Sequence, residues 1–149
     1  MPAFLKFVGQ FHPAIVHLPI AMLVIAAFAE ILRWRRPGPF FENVAAFNLH
    51  IGALSGVAAA AMGWCFAETE GVAADLKTTL FWHRWLGIGV AVLAVALVLL
   101  WRSNRVRPTA VGLAVYRAGL LGGALLVSIT GHLGGTLVFG LDWYQWSGK

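Results

Sequence analysis

A chain of 149 residues that is 60% hydrophobic, only 11% charged and has a mean hydropathy of +0.79 carries too little polar surface to coat a water-soluble globule; it reads as one membrane domain. Its net charge of +5 comes from arginines grouped at turns, without a soluble basic face or an aromatic reader module, so nucleic acid is excluded as a partner. Cys65 is the only cysteine, which rules out an internal disulfide, a CxxC redox pair, a cysteine-held iron–sulfur cluster and covalently attached c-type haem.

Four apolar stretches, residues 13–34, 43–67, 80–101 and 110–139, each reach the length of about 20 residues that a helix needs to cross a bilayer. The expected fold is therefore all-α, an integral membrane four-helix bundle. In the first stretch Pro13 is placed as the first residue of a helix, with His12 at the cap and His17 one turn inside. Pro19 removes a hydrogen bond and displaces the carbonyl four residues back. The stretch ends in Arg33, Arg35 and Arg36 with no small-residue cleavage motif, which predicts a retained helix and not a removable signal peptide. Arg35-Arg36-Pro37-Gly38-Pro39 then forms a tight turn.

The second stretch carries Gly52, Gly56 and Gly63, and the fourth carries Gly119, Gly122 and Gly123. Membrane helices associate through small residues, so these two helices are expected to form the tight centre of the bundle. The two helical pairs resemble at most a weak duplication, one in which the histidines do not correspond. His50 lies near the start of the second helix, where an interhelical hydrogen bond is expected. The loop from Glu68 to Thr79 is polar, with Glu68 and Glu70 solvated. The third stretch opens on Trp82-His83-Arg84-Trp85, and the turn Arg105 to Thr109 leads into the fourth, which holds His132 between Ser128 and Thr136.

Arg33, Arg35, Arg36, Arg102, Arg105, Arg107 and Arg117 flank the first and third connections. Lys6, Lys77, Arg84 and Lys149 on the other side are balanced by Glu68, Glu70, Asp75 and Asp142. Excess Lys and Arg mark cytoplasmic loops, so both termini and the middle loop are expected outside. Trp64, Trp82, Trp85, Trp143, Tyr144 and Trp146 would form an outer interfacial belt, with Trp34 and Trp101 at the inner boundary.

This orientation puts His17, His83 and His132 within roughly 10 Å of one outer level at 1.5 Å per helical residue, with His50 on the opposite side. Imidazole in hydrocarbon calls for a partner, water or a metal, which makes these three the candidate site. Three chemistries fit. Two of the histidines hold haem iron, with Ala21, Gly87, Ser128 and Thr136 as neighbours one turn away, the two hydroxyls placed to orient the imidazoles. Alternatively all three bind one zinc, copper or iron, or they serve a proton relay or quinone site without metal. Arg84 breaks the positive-inside pattern near a helix N-terminus, where a bound anion such as a haem propionate would balance it.

His12-Pro13-Ala14-Ile15-Val16-His17-Leu18-Pro19 and Gly131-His132-Leu133-Gly134-Gly135-Thr136-Leu137-Val138 resemble the HPxxVHFP and GHxGGxL motifs of a bacterial family of uncharacterised four-helix membrane proteins. Trp82-His83-Arg84-Trp85-Leu86-Gly87 is similar to the third helix of that family. The resemblance covers nearly the whole chain, with Leu18 in place of a frequent phenylalanine. Related domains are attached to c-type cytochrome or Rieske modules, which implies electron transfer in a bacterial inner membrane. The combined expectation is haem b near the outer face, ligated by His17 with His83 or His132. Arg84 would hold a propionate, and electrons would pass between a membrane quinol and an external redox protein. Quinol oxidation here would make the protein an enzyme. The alternatives are a structural or assembly subunit of a larger redox complex and a three-histidine zinc or copper site.

Overall fold

Hydropathy falls off before the helices end, because a helix that leaves hydrocarbon continues through the headgroup layer with polar residues on it. In the computed structural model, which describes residues 2–69 and 71–142, the helices are α1 (Ala3–Gly9), α2 (His12–Ile15), α3 (His17–Arg35), α4 (Pro39–Ala67), α5 (Lys77–Val106) and α6 (Ala110–Phe139). A single 3₁₀ turn, Ala74–Leu76, precedes α5. Glu70, Trp143, Tyr144, Trp146 and Lys149 lie outside the described residues. The fourth helix has the expected bounds, whereas α4 and α5 outrun the apolar stretches at residues 43 and 101 to take in Glu42, Arg102 and Arg105. At 1.5 Å per residue the 30 residues of α6 extend about 45 Å, the full bilayer with its headgroups.

Among the described residues four spans are long and apolar enough to cross a membrane: Ala3–Arg35, Pro39–Ala67, Ala74–Val106 and Ala110–Phe139. The first is broken twice, and both breaks follow from proline. Pro13 has no N–H for the carbonyl of Gly9, where α1 ends, and Pro19 has none for Ile15, where α2 ends. Pro39 opens α4 in the position where a missing N–H costs nothing. Thr109 caps α6 by accepting the Gly112 N–H at 2.9 Å, and Gly140 closes it at φ 88°.

The helices stand in a ring in the order α3, α4, α5, α6, each packed on its chain neighbours and α6 closing on α3. Leu23, Leu49, Val90, Leu97, Tyr116, Leu120 and Val127 fill the centre. Phe28, Phe47, Leu54, Val92, Leu99 and Leu125 are exposed on the outside, as expected for helices that are apolar all round and face lipid. The glycine-rich helices α4 and α6 stand on the diagonal of the ring, which corrects the expectation that they pack tightly together. Their glycines receive side chains from the helices beside them: Gly52 meets Leu23, Gly119 meets Leu97, Gly123 meets Leu93 and Gly131 meets Ile20.

The second half of the chain repeats the first 71 positions later. Pro2 and Ala73 precede the spans with φ −56°, ψ 143° and φ −54°, ψ 149°. The spans Ala3–Arg35 and Ala74–Val106 are both 33 residues long. Arg36 and Arg107 end them with φ −134°, ψ 80° and φ −133°, ψ 82°, and each amide bonds the carbonyl four residues back at 2.8 Å. Identities at this offset include Lys6 and Lys77, Arg36-Pro37 and Arg107-Pro108, Leu49 and Leu120, Gly52-Ala53-Leu54 and Gly123-Ala124-Leu125, and Gly63 and Gly134. In the ring, exchanging α3 with α5 and α4 with α6 is a two-fold rotation about the bundle axis, the geometry of parallel repeats in membrane proteins. His12 and His83 are equivalent under it, so the expectation that the histidines of the two halves do not correspond is corrected.

Candidate functional site

The two equivalent histidines meet. Their ring centroids are 6.0 Å apart with the planes at 76°. The Nδ1–H of His12 donates to the Ala59 carbonyl at 2.9 Å, and that of His83 donates to the Thr130 carbonyl at 2.9 Å; each pair is 47 residues apart in sequence. A carbonyl only accepts, so Nδ1 carries the proton, and in the neutral ring Nε2 keeps its lone pair for a ligand. This is the orientation that backbone carbonyls impose on metal-binding imidazoles.

Each imidazole rests on the glycine one turn after the carbonyl it bonds. A Cβ at Gly63 would lie 2.6 Å from Cε1 of His12, and one at Gly134 would lie 2.9 Å from Cε1 of His83. Both contacts are closer than a methyl group allows. Glycine at these two positions is therefore what lets a ring lie against the backbone of α4 and of α6. The kink at Pro13 carries His12 into this position, and Phe66 lies beside it with ring centroids 6.2 Å apart. Both histidines are half-buried.

The other expected site residues lie close by but face elsewhere. His132 is on the turn of α6 between Thr130 and Gly134, the two residues that hold His83, yet its side chain is exposed. His17 is exposed at the start of α3 and donates to the Ala14 carbonyl at 3.3 Å. Ile20, one turn beyond it, packs on Gly131, so His17 and His132 share a level with the pair while lying on the outside of the bundle. Among the described residues no three histidine, cysteine, aspartate or glutamate side chains converge on a metal-sized point.

Other expectations are corrected. The Thr136 hydroxyl donates to the backbone carbonyl of His132 and Ser128 to that of Ala124, so neither hydroxyl is seen to orient an imidazole. His50 donates to Ala46 within its own helix at 2.7 Å; its contact across helices is the edge of its ring on Trp101, with centroids 5.1 Å apart. Arg84 is two turns inside α5, which begins at Lys77, and thus beyond the reach of the helix terminus. Its guanidinium lies 4.5 Å from the centre of the Trp64 ring and 3.8 Å from Glu68, which is half exposed.

The opposite end of the bundle holds a cluster that residue spacing did not reveal. Glu30, 1% exposed, accepts from Nε of Arg117 at 2.8 Å and lies 3.4 Å from Arg33. Arg33 also meets Glu42 at 2.9 Å, and Glu42 meets Arg105 at 3.0 Å. The chain of ion pairs thus links all four spans. A lone carboxylate within an apolar run was the available signal, since such a residue in a span calls for a partner.

Residues 10–143 match a family described as a predicted membrane protein, DUF2231. The chain belongs to that family. The matched segment of this DUF2231 member takes in both histidines of the pair and both of their glycines. No curated protein and no solved structure matches the chain. Family and fold agree on a multi-pass membrane protein with four helices able to span the bilayer.

Proposed function

We propose that the protein is a b-type cytochrome-like carrier that holds haem b non-covalently between His12 and His83. Electrons then pass between a membrane donor such as quinol and a redox partner, a c-type cytochrome or Rieske protein, outside a bacterial inner membrane. One observation carries the reading: two symmetry-related imidazoles, each fixed through Nδ1, stand with ring centroids 6.0 Å apart. His12 and His83 would hold the iron through Nε2, the nitrogen that each Nδ1 hydrogen bond leaves unprotonated in the neutral ring.

The donor set favours haem over a bare ion. Two protein nitrogens suit an iron whose remaining positions are filled by a macrocycle, whereas structural zinc takes four ligands and catalytic zinc three with water. Gly63 and Gly134 let the two rings lie against the backbone of α4 and of α6, which fixes where the imidazoles stand. When bound, the haem supplies a one-electron couple. The chain's part is to fix both imidazoles, to keep water away with the surrounding apolar spans, and to offer Arg84, beside His83, to a propionate in exchange for its contact with Glu68.

Cofactor analysis of the purified protein tests this. The expected result is one extractable haem b per chain in the wild type, lost in His12→Ala and in His83→Ala. Stoichiometric zinc or copper without haem, or protein with neither, would overturn it.

A further inference from the structure

The ion-pair end of the bundle carries a recess. About 510 Å³ opens between α3 and α6, bounded by Trp34, Leu113, Ala114, Arg117, Ala118 and Leu121. At the repeat-related seam between α5 and α4 the positions of Ala114, Ala118 and Leu121 are occupied by Asn43, Phe47 and His50, and the His50 ring is packed on Trp101. Two alanines thus stand at the recess where the repeat-related seam carries larger side chains.

The charge at this seam is unbalanced. Arg33, Arg105 and Arg117 share the two carboxylates Glu30 and Glu42, leaving one positive charge in excess, with Arg35 and Arg36 exposed beside Trp34. Arg117 uses its Nε–H on Glu30, and its guanidinium lies 5.4 Å from the centre of the exposed Trp34 ring. The remaining guanidinium N–H groups form the fork that matches a phosphate. The floor beneath, Leu113 and Leu121, is apolar. An apolar slot between spans with a cation and an indole at its mouth has the chemistry of a lipid-headgroup pocket, and arginine-rich ends face the leaflet that holds anionic lipid.

We infer that the α3/α6 recess binds one anionic phospholipid, its phosphate on Arg117 and an acyl chain along Ala114, Ala118 and Leu121. This site is separate from the histidine pair and does not depend on the haem reading.

The test is thermal unfolding of the full chain in detergent with added phosphatidylglycerol, phosphatidylcholine or inorganic phosphate. Phosphatidylglycerol is expected to raise the midpoint by several degrees more than phosphatidylcholine, while inorganic phosphate leaves it unchanged. Ala118→Phe, which copies the residue of the mate seam and spares every ion pair, should abolish that difference without lowering the midpoint in phosphatidylcholine. Ala114→Leu is the second variant should Ala118→Phe fail to fold, and it should do the same. Equal shifts with both lipids, a shift with phosphate alone, or a phosphatidylglycerol effect that survives a folded filling variant would overturn the inference. So would displacement of the bound lipid by a short-chain quinone.

Discussion

Gly63→Ala places a methyl group where the His12 ring lies, and its consequence depends on whether that ring is present. The new Cβ would sit 2.6 Å from Cε1, 2.9 Å from Nδ1 and 3.1 Å from Nε2, so the imidazole must turn away. Turning breaks the 2.9 Å hydrogen bond to Ala59, a net loss of about 0.5–1.5 kcal/mol. Overpacking of the seam adds about 1–3 kcal/mol. Against these stands the gain of about 0.5–1 kcal/mol from replacing glycine by alanine inside a helix. The expected balance is a destabilisation of about 0.5–4 kcal/mol, which lowers the melting midpoint by about 2–4 °C per kcal/mol for a chain of this size. In a His12→Ala background the obstacle is gone, and the same substitution should stabilise by about 0.5–1 kcal/mol. Thermal unfolding of the four proteins of this double-mutant cycle, followed by tryptophan fluorescence in mild detergent, reads the sign directly. Gly122→Ala, where a Cβ meets nothing within 4 Å, serves as the unobstructed control. An effect of Gly63→Ala with the same sign in both backgrounds would refute the packing of His12 on α4.

The repeat predicts that Gly134→Ala behaves in the same way with respect to His83→Ala, though more mildly because its clash is 2.9 Å; insensitivity of this second cycle to His83 would break the equivalence of the two nests. Glu30→Gln removes the buried centre of the ion-pair chain and should destabilise by about 3–5 kcal/mol, whereas Arg105→Ala, at a side chain 57% exposed, should change stability by no more than about 1 kcal/mol. Equal unfolding midpoints for these two variants would contradict the burial of Glu30. Orientation is readable with a membrane-impermeant maleimide on intact bacterial spheroplasts, using a Cys65→Ser background. Gly71→Cys at the histidine end should label from outside and Ser103→Cys at the arginine end only after lysis; the reverse pattern would invert the topology.

Hydropathy alone made the four spans legible, because a helix in lipid must be apolar on every side. Depth was legible as well: His17, His83 and His132 do share a level, as the packing of His83 on Gly134 and of Ile20 on Gly131 shows. Facing was not legible. In a water-soluble helix the polar face points outward, but in a span apolar all round nothing in the pattern tells the bundle side from the lipid side. By pattern alone His17 is as good a candidate as His12, whose place at a helix cap gives no sign that two prolines bend the chain and bring it onto α4. The duplication was hidden for a related reason. Pro13 and Pro19 break the first span where Arg84 and Val90 let α5 run on, and the identities that remain are mostly small residues common to any membrane helix. Glu30 belongs to no local motif, because its partners Arg33 and Arg117 lie three and 87 residues away, the second in a different span.

The central claim is that His12 and His83, not the two exposed histidines, hold a redox-active iron. A reduced-minus-oxidised difference spectrum of the purified wild type, His12→Ala, His83→Ala, His17→Ala and His132→Ala tests it in one series. The account predicts sharp Soret and α bands in the wild type that persist in His17→Ala and His132→Ala and vanish in His12→Ala and His83→Ala. Bands absent from the wild type, or bands that survive the loss of His12 and His83, would contradict it.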